Sequence, residues 1–214
     1  SATLAVLNHE AFHQYIYYFY GELAPHSWYN EGHGDYFAGA KLTRSHRVTG
    51  FGDAPGGFNR SPLVKDACRL RASGDDGTQS AVPLKDLMRY HQSDYYGDKK
   101  SICYAQGWAL VHMLRESKRL DPRWEAILPD YLDNLLAARD ELATEMMTKY
   151  RTQAAEDDND DDRAEDYPDD ITYYYDKVKT TDVQDRAYEK TFGDWTDDDW
   201  EEFDSYYLKY VEKL

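Results

Sequence analysis

The alternation of apolar and polar positions divides the chain into helices joined by loops rich in glycine, proline and aspartate. Residues 2–20 carry apolar side chains at helical spacing and stop at Gly21, which predicts a first helix. "ELAPHSW" reads as a turn, and a second helix is expected from about Tyr29 to Ala40. The stretch 41–60, with "GFGDAPGGFNR", reads as a loop with room for a short hairpin, bordering a cleft as a flap or serving as a plain surface connection. Residues 62–72 are patterned as a helix before the loop "ASGDDGTQS", and "VPLKDLMRYH" begins another, with Pro83 near its first turn. "SICYAQGWALVHMLRES" (101–117) is apolar nearly all round and predicts a buried helix. Residues 121–152 carry a long helical pattern, with Trp124, Ile127, Tyr131, Leu135, Leu142 and Met146 on or near one face. The final stretch, "TDDDWEEFDSYYLKYVEKL", predicts a helix capped by Thr196, with acids in its first turn and a stripe of Trp200, Phe203, Tyr207, Tyr210 and Leu214.

Composition narrows the range of partners. The 214 residues suit one domain with a real core, or one and a half small ones. Apolar content is only 41%, but 20 Tyr and 5 Trp supply large surfaces to bury. A net charge of −16 argues against nucleic acid and anionic membranes, which need a basic surface. No apolar run approaches the roughly 20 residues of a spanning helix, and "SATLAVLNHE" is not an intact secretory signal. Cys68 and Cys103 have no metal spacing; they are either a disulfide pair or two buried thiols. "EDDNDDDRAEDYPDD" (156–170) holds ten acids and one arginine, and reads as a solvated acidic loop. As a calcium loop it lacks the glycine at the sixth position and the glutamate at the twelfth.

The chemistry concentrates near the start. "HEAFH" places His9 and His13 one helical turn apart on one face, with about 6 Å between side-chain origins. Two imidazoles so placed can share one zinc ion at the ~2 Å that zinc prefers. Glu10 lies about 100° around the helix from His9, too far round for a ligand and suited to a general base. The same five residues also suit a helix with two incidental histidines. The second cluster separates these readings. Catalytic zinc needs a third protein ligand and an open position. Glu31 follows His13 by eighteen residues on the next helix, and Asp35 lies one turn further, where a carboxylate can receive the free ring N–H of a ligand histidine. His26, His33, His46, His91 and His112 have no ligand spacing and are expected to be structural or on the surface.

"HEAFHQY…WYNEGHGDYF" resembles the gluzincin metallopeptidases, in which H-E-x-x-H is followed by a glutamate on a second helix within an N-E-x-x-x-D-like segment, here Asn30, Glu31 and Asp35. The resemblance implies His9, His13 and Glu31 as Zn2+ ligands, Glu10 as base and proton shuttle, and Asp35 behind a ligand. "YAQGWALVHML" (104–114) is similar to the Y-x-K-G-x-x-x-x-x-M-L segment of the aminopeptidase N family, which implies Tyr104 as donor to the oxyanion; Gln106 replaces the family's lysine. Tyr104 on a buried helix also suits a plain core residue. The whole pattern looks closest to a little-characterised bacterial group of gluzincin-like domains, strongly over 4–40, moderately over 84–117 and 188–214, and not across 121–180.

The expectation is therefore a mainly α fold, the helical part of a zincin-like metallopeptidase domain, hydrolysing peptide bonds of a peptide or protein substrate by metal-activated water. Residues 1–118 are expected to form the catalytic helical core and 119–214 a C-terminal helical region. Gluzincins normally carry a β-sheet before the H-E-x-x-H helix; here only eight residues precede His9, so an N-terminal sheet region or another chain is expected to complete the cleft. An N-terminal helix this apolar, without its sheet, should expose a sticky face. The alternative is a non-catalytic interaction domain on the same scaffold. The resemblance favours a setting outside the cytoplasm.

Overall fold

The computed structural model describes residues 1–45, 47–156 and 168–214. The acidic stretch and its calcium reading fall largely on residues outside that set, as does His46. The fold is mainly helical. Among the described residues the strands are β1 (Lys41–Leu42) and β2 (Val48–Thr49), an antiparallel hairpin pairing Lys41 with Thr49 and Leu42 with Val48. No helix among the described residues is long and apolar enough to cross a membrane.

Two compact units are present, residues 1–127 with 195–214, and residues 128–194. This division departs from a split at 118, because the last helix folds into the first unit. That unit contains α1 (Ala2–Phe19), α2 (Ser27–Ala38), α3 (Arg60–Ala72), the single turns α4 (Leu84–Leu87) and α5 (Gln92–Tyr95), α6 (Lys100–Glu116), α7 (Pro122–Glu125) and α11 (Asp197–Val211). Between them, α8 (Ile127–Glu156), α9 (Thr172–Tyr175) and α10 (Thr180–Phe192) supply the second. The long pattern over 121–152 is thus broken at Ala126, where α7 ends.

α6 is the central helix of the first unit. Trp108, Leu110 and Ile102 are fully buried on it, and α2, α3 and α11 pack around it. Gln106, where the resembled family has lysine, is buried and pairs with the backbone of Val82 through both amide ends, at 2.8 Å each. This gives the extended segment before α4 two strand-like hydrogen bonds and satisfies a polar group that would otherwise cost about 1–3 kcal/mol. α2 and α6 cross with their backbones in close approach at Gly32 and Gly107. A Cβ on Gly32 would stand 2.5 Å from the Gly107 carbonyl oxygen and 2.9 Å from Val111 Cγ2. Gly32→Ala is expected to cost about 1–3 kcal/mol through overpacking, read as a lower midpoint in chemical denaturation; an unchanged midpoint would show that the helices part freely.

α11 begins with a capping box, Thr196 and Asp199 each binding the other's backbone N–H. Its buried seam is Trp200, Phe203, Tyr207 and Val211. Tyr210 and Leu214, expected on that stripe, lie at its margin, because the seam advances by three or four residues and reaches Val211 instead. Arg71 clasps Asp204 through both terminal nitrogens, at 3.0 and 2.5 Å. Cys68 and Cys103 are free, buried thiols, and burial pushes both up, to about 12 and about 11.

In the second unit Tyr131, Leu135, Ala138, Tyr174, Val183 and Ala187 are fully buried. Arg186 pairs with Glu145 and Lys190 with Glu141, joining α10 to α8 by exposed charges.

α1 buries only Ala5, His9 and Ile16 against the rest of the unit. Leu4, Leu7, Tyr15, Tyr18 and Phe19 remain exposed, Tyr18 at 71%.

Candidate metal centre

Local sequence explains how α1 and α2 come to face each other. α1 is broken by Gly21 and Glu22, both in the left-handed region at φ 69° and 61°, and the chain reverses within a few residues to start α2 at Ser27. His9 and His13 then project from α1 toward Glu31 and Asp35 on α2. His9 Nε2 stands 2.9 Å from His13 Nε2 and 3.3 Å from Glu31 Oε2, and His13 Nε2 lies 3.5 Å from that oxygen. Donors around a tetrahedral ion with bonds of about 2.0–2.1 Å are about 3.3 Å apart, so this set suits a metal ion.

The outer ring nitrogens reinforce the fit. Asn30 Oδ1 accepts from His13 Nδ1 at 2.9 Å; buried Asp35 Oδ1 lies 3.1 Å from His9 Nδ1 as a charge contact, and neither atom of that pair makes a hydrogen bond among the described residues. With the His13 Nδ1 proton directed at Asn30, the His13 Nε2 is left as an acceptor beside His9 Nε2 and Glu31 Oε2. Three potential metal-ligand atoms converge on one spot, where a cation or a shared proton relieves their repulsion. The electrostatics agree. Burial works to lower the His9 pKa, but Asp35 and then Glu31 outweigh it and raise it to about 9. His13 is raised in the same way, chiefly by Glu31 against burial. For Glu31 burial would raise the pKa, yet hydrogen bonds from His13, His9 and Tyr96 hold it far below the usual carboxylate range. A metal entering here would displace protons, so its affinity should rise with pH.

Packing holds the rings in place. His9 lies over Gly34, where a Cβ would sit 2.8 Å from ring atoms Cε1 and Nδ1, and Phe58 flanks it at 5.4 Å between ring centres. Gly34→Ala is expected to push His9 away from Asp35 and weaken the binding of any metal ion held by this group about 10–100-fold, the usual loss when a ligand's outer support is disturbed; chelator competition reads it, and wild-type affinity in that variant would dismiss the packing argument. Asp35 Oδ2 accepts from Arg60 Nε at 2.6 Å, so an Arg60–Asp35–His9 chain runs from the first residue of α3 to the centre.

Glu10 is exposed beside His9 and makes no hydrogen bond among the described residues. Tyr104 is half-buried, and its hydroxyl donates at 3.0 Å to Tyr96, which in turn donates at 2.5 Å to Glu31 Oε1. Beside His13 and Asn30 opens a shallow groove of about 280 Å³, lined also by Ile16, Tyr17, Tyr18 and Ala24. The glycine-rich stretch is no free flap at this point: Ala54 packs on Ala5 and Ala38, with Phe58 against them.

The remaining described histidines take other roles. His33 Nδ1 donates to the Tyr29 carbonyl and its Nε2 accepts from Arg115, with burial first and Arg115 second lowering its pKa to about 3. His26 stacks on His91 and is lowered to about 3, first by burial. His112 meets the Tyr210 hydroxyl at 2.8 Å. Trp28, Tyr29 and Tyr36 are core residues.

Sequence reasoning singled out His9, His13, Glu31 and Asp35, which the fold brings together. It missed the contributions of Asn30, Arg60 and Tyr96. Asn30 stands beside Glu31 and was within reach of a helix-face argument; Arg60 and Tyr96 arrive from distant segments and leave no spacing signal. Comparison with family models, with curated proteins and with solved structures finds no match for this chain.

Proposed function

We propose that this chain is a zinc-dependent peptidase of zincin-like type. The observation that carries the reading is the convergence of His9 Nε2, His13 Nε2 and Glu31 Oε2, with Asn30 accepting from His13 Nδ1 and the Asp35 carboxylate 3.1 Å from His9 Nδ1. Two imidazoles and one carboxylate are the donor set of hydrolytic zinc, and leave one position open. Bound there, zinc would supply a Lewis acid and an acidified water.

The chain's own residues would do the rest. Glu10, on the exposed side of α1, takes a proton from the attacking water at its carboxylate and returns it to the departing amine nitrogen. Tyr104 is the proposed donor to the developing oxyanion, its hydroxyl turning away from Tyr96 to serve. The groove beside His13 is suited to a substrate side chain, and its Ile16 and tyrosine walls favour an apolar one. The test is zinc analysis of the purified protein followed by cleavage of a broad peptide library. One zinc per chain with cleavage supports the reading; no bound zinc sinks it.

One observation favours a second reading. The exposed Leu4, Leu7, Tyr18 and Phe19 suit a metal-binding interaction domain without catalysis. Such a domain would bind zinc and leave the library intact.

A further inference from the structure

Glu31 offers one oxygen to the histidines. The other, Oε1, is held by Tyr96, which lies at the end of α5, far along the chain from both α1 and α2. The ring of Tyr96 is itself fixed. It packs against Tyr95 at 6.1 Å and Tyr104 at 5.7 Å between centres, and Lys100 Nζ lies 4.8 Å above it. Tyr95 is fully buried and donates to the Cys103 carbonyl at 2.7 Å, which ties the pair of tyrosines to the first turn of α6. The Tyr104 hydroxyl donates to the Tyr96 oxygen and so strengthens the Tyr96 donor.

From this geometry we infer that Tyr96 is the positioning residue of the metal centre: its hydroxyl holds Glu31 Oε1 and confines the carboxylate to ligation through Oε2 alone. Two consequences follow. A carboxylate bound through both oxygens would occupy the position that a catalytic metal keeps open, so Tyr96 preserves that position. The α5–α6 segment also sets the metal's ligand field although it donates no ligand. The inference rests on the reading of His9, His13 and Glu31 as a metal site, and goes beyond it in assigning what orients the third ligand.

The test compares wild type, Tyr96→Phe and Tyr104→Phe by zinc affinity in chelator competition, by the visible spectrum of the Co2+-substituted protein, and by melting without metal. Tyr96→Phe keeps the ring and its packing and removes only the hydroxyl. It is expected to weaken zinc binding about 10–100-fold and to lower the intensity of the Co2+ bands, as a second Glu31 oxygen raises the coordination number, while the metal-free melting midpoint falls only by what the loss of the hydroxyl's own hydrogen bonds costs. Tyr104→Phe should change affinity less and leave the bands in place. If Tyr96→Phe matches wild type in affinity and spectrum, the inference is overturned while the metal site stands. A lowered metal-free midpoint with an unchanged Co2+ spectrum would overturn it too, as the mark of a purely structural tyrosine. If wild type binds no metal, both readings fall.

Discussion

On the proposed peptidase reading, Glu10→Gln is expected to keep one zinc per chain and to lose about 10²–10⁴-fold in the rate of peptide hydrolysis, the usual contribution of a positioned general base. The side chain is exposed and makes no hydrogen bond among the described residues, so replacing its carboxylate with an amide removes no structural interaction seen there. Zinc binding should survive because the proposed ligand atoms belong to His9, His13 and Glu31, with Asn30 on one ring and Asp35 facing the other. The glutamine can hold a water but cannot take its proton at neutral pH. Zinc content and cleavage rate on the same sample read the result. Retained cleavage would assign the base elsewhere; lost zinc would mean that Glu10 is a ligand.

The second large effect falls on the metal itself. His9→Ala and Glu31→Ala are each expected to abolish stoichiometric zinc, a greater loss than the about 10–100-fold typical of outer partners. The two variants remove different things. His9→Ala takes away one nitrogen and leaves Asp35 with its Arg60 partner at 2.6 Å, so the metal-free fold should hold. Glu31→Ala removes the anion facing both rings and also the acceptor of Tyr96. It leaves His9 Nε2 and His13 Nε2 2.9 Å apart without the one carboxylate that faces both. Dialysis against zinc and elemental analysis decide the matter; full zinc in either variant would remove that residue from the ligand set.

The candidate ligand set was legible because it is made of short-range relations. His9 and His13 are a helical turn apart, as are Glu31 and Asp35, and one reversal at Gly21 lays the two helices together. The glycines of α2 carried a further signal. Gly32 and Gly34 each cost a helix about 1 kcal/mol relative to alanine, and their reason is close approach, of α6 at one and the His9 ring at the other. Tyr104 was marked by its resemblance, but its immediate partner is Tyr96, an assignment that depends on how α5 turns into α6. The end of α11 shows the same limit in miniature: Val211, not Tyr210, faces the core, because the neighbours of that helix decide which edge of an apolar stripe is covered.

The sequence by itself determined the helical character of this protein, its acidity, the pairing of His9 with His13, and the candidates Glu10, Glu31 and Asp35. These depend on helical periodicity and on chemistry carried within one or two turns. The tertiary structure decided which carboxylate oxygen faces the rings, that Arg60 supports Asp35, that Tyr96 restrains Glu31, and that the last helix closes over the first unit. Those are contacts between segments distant along the chain, and their geometry is set by how bulky side chains pack, which no local spacing records.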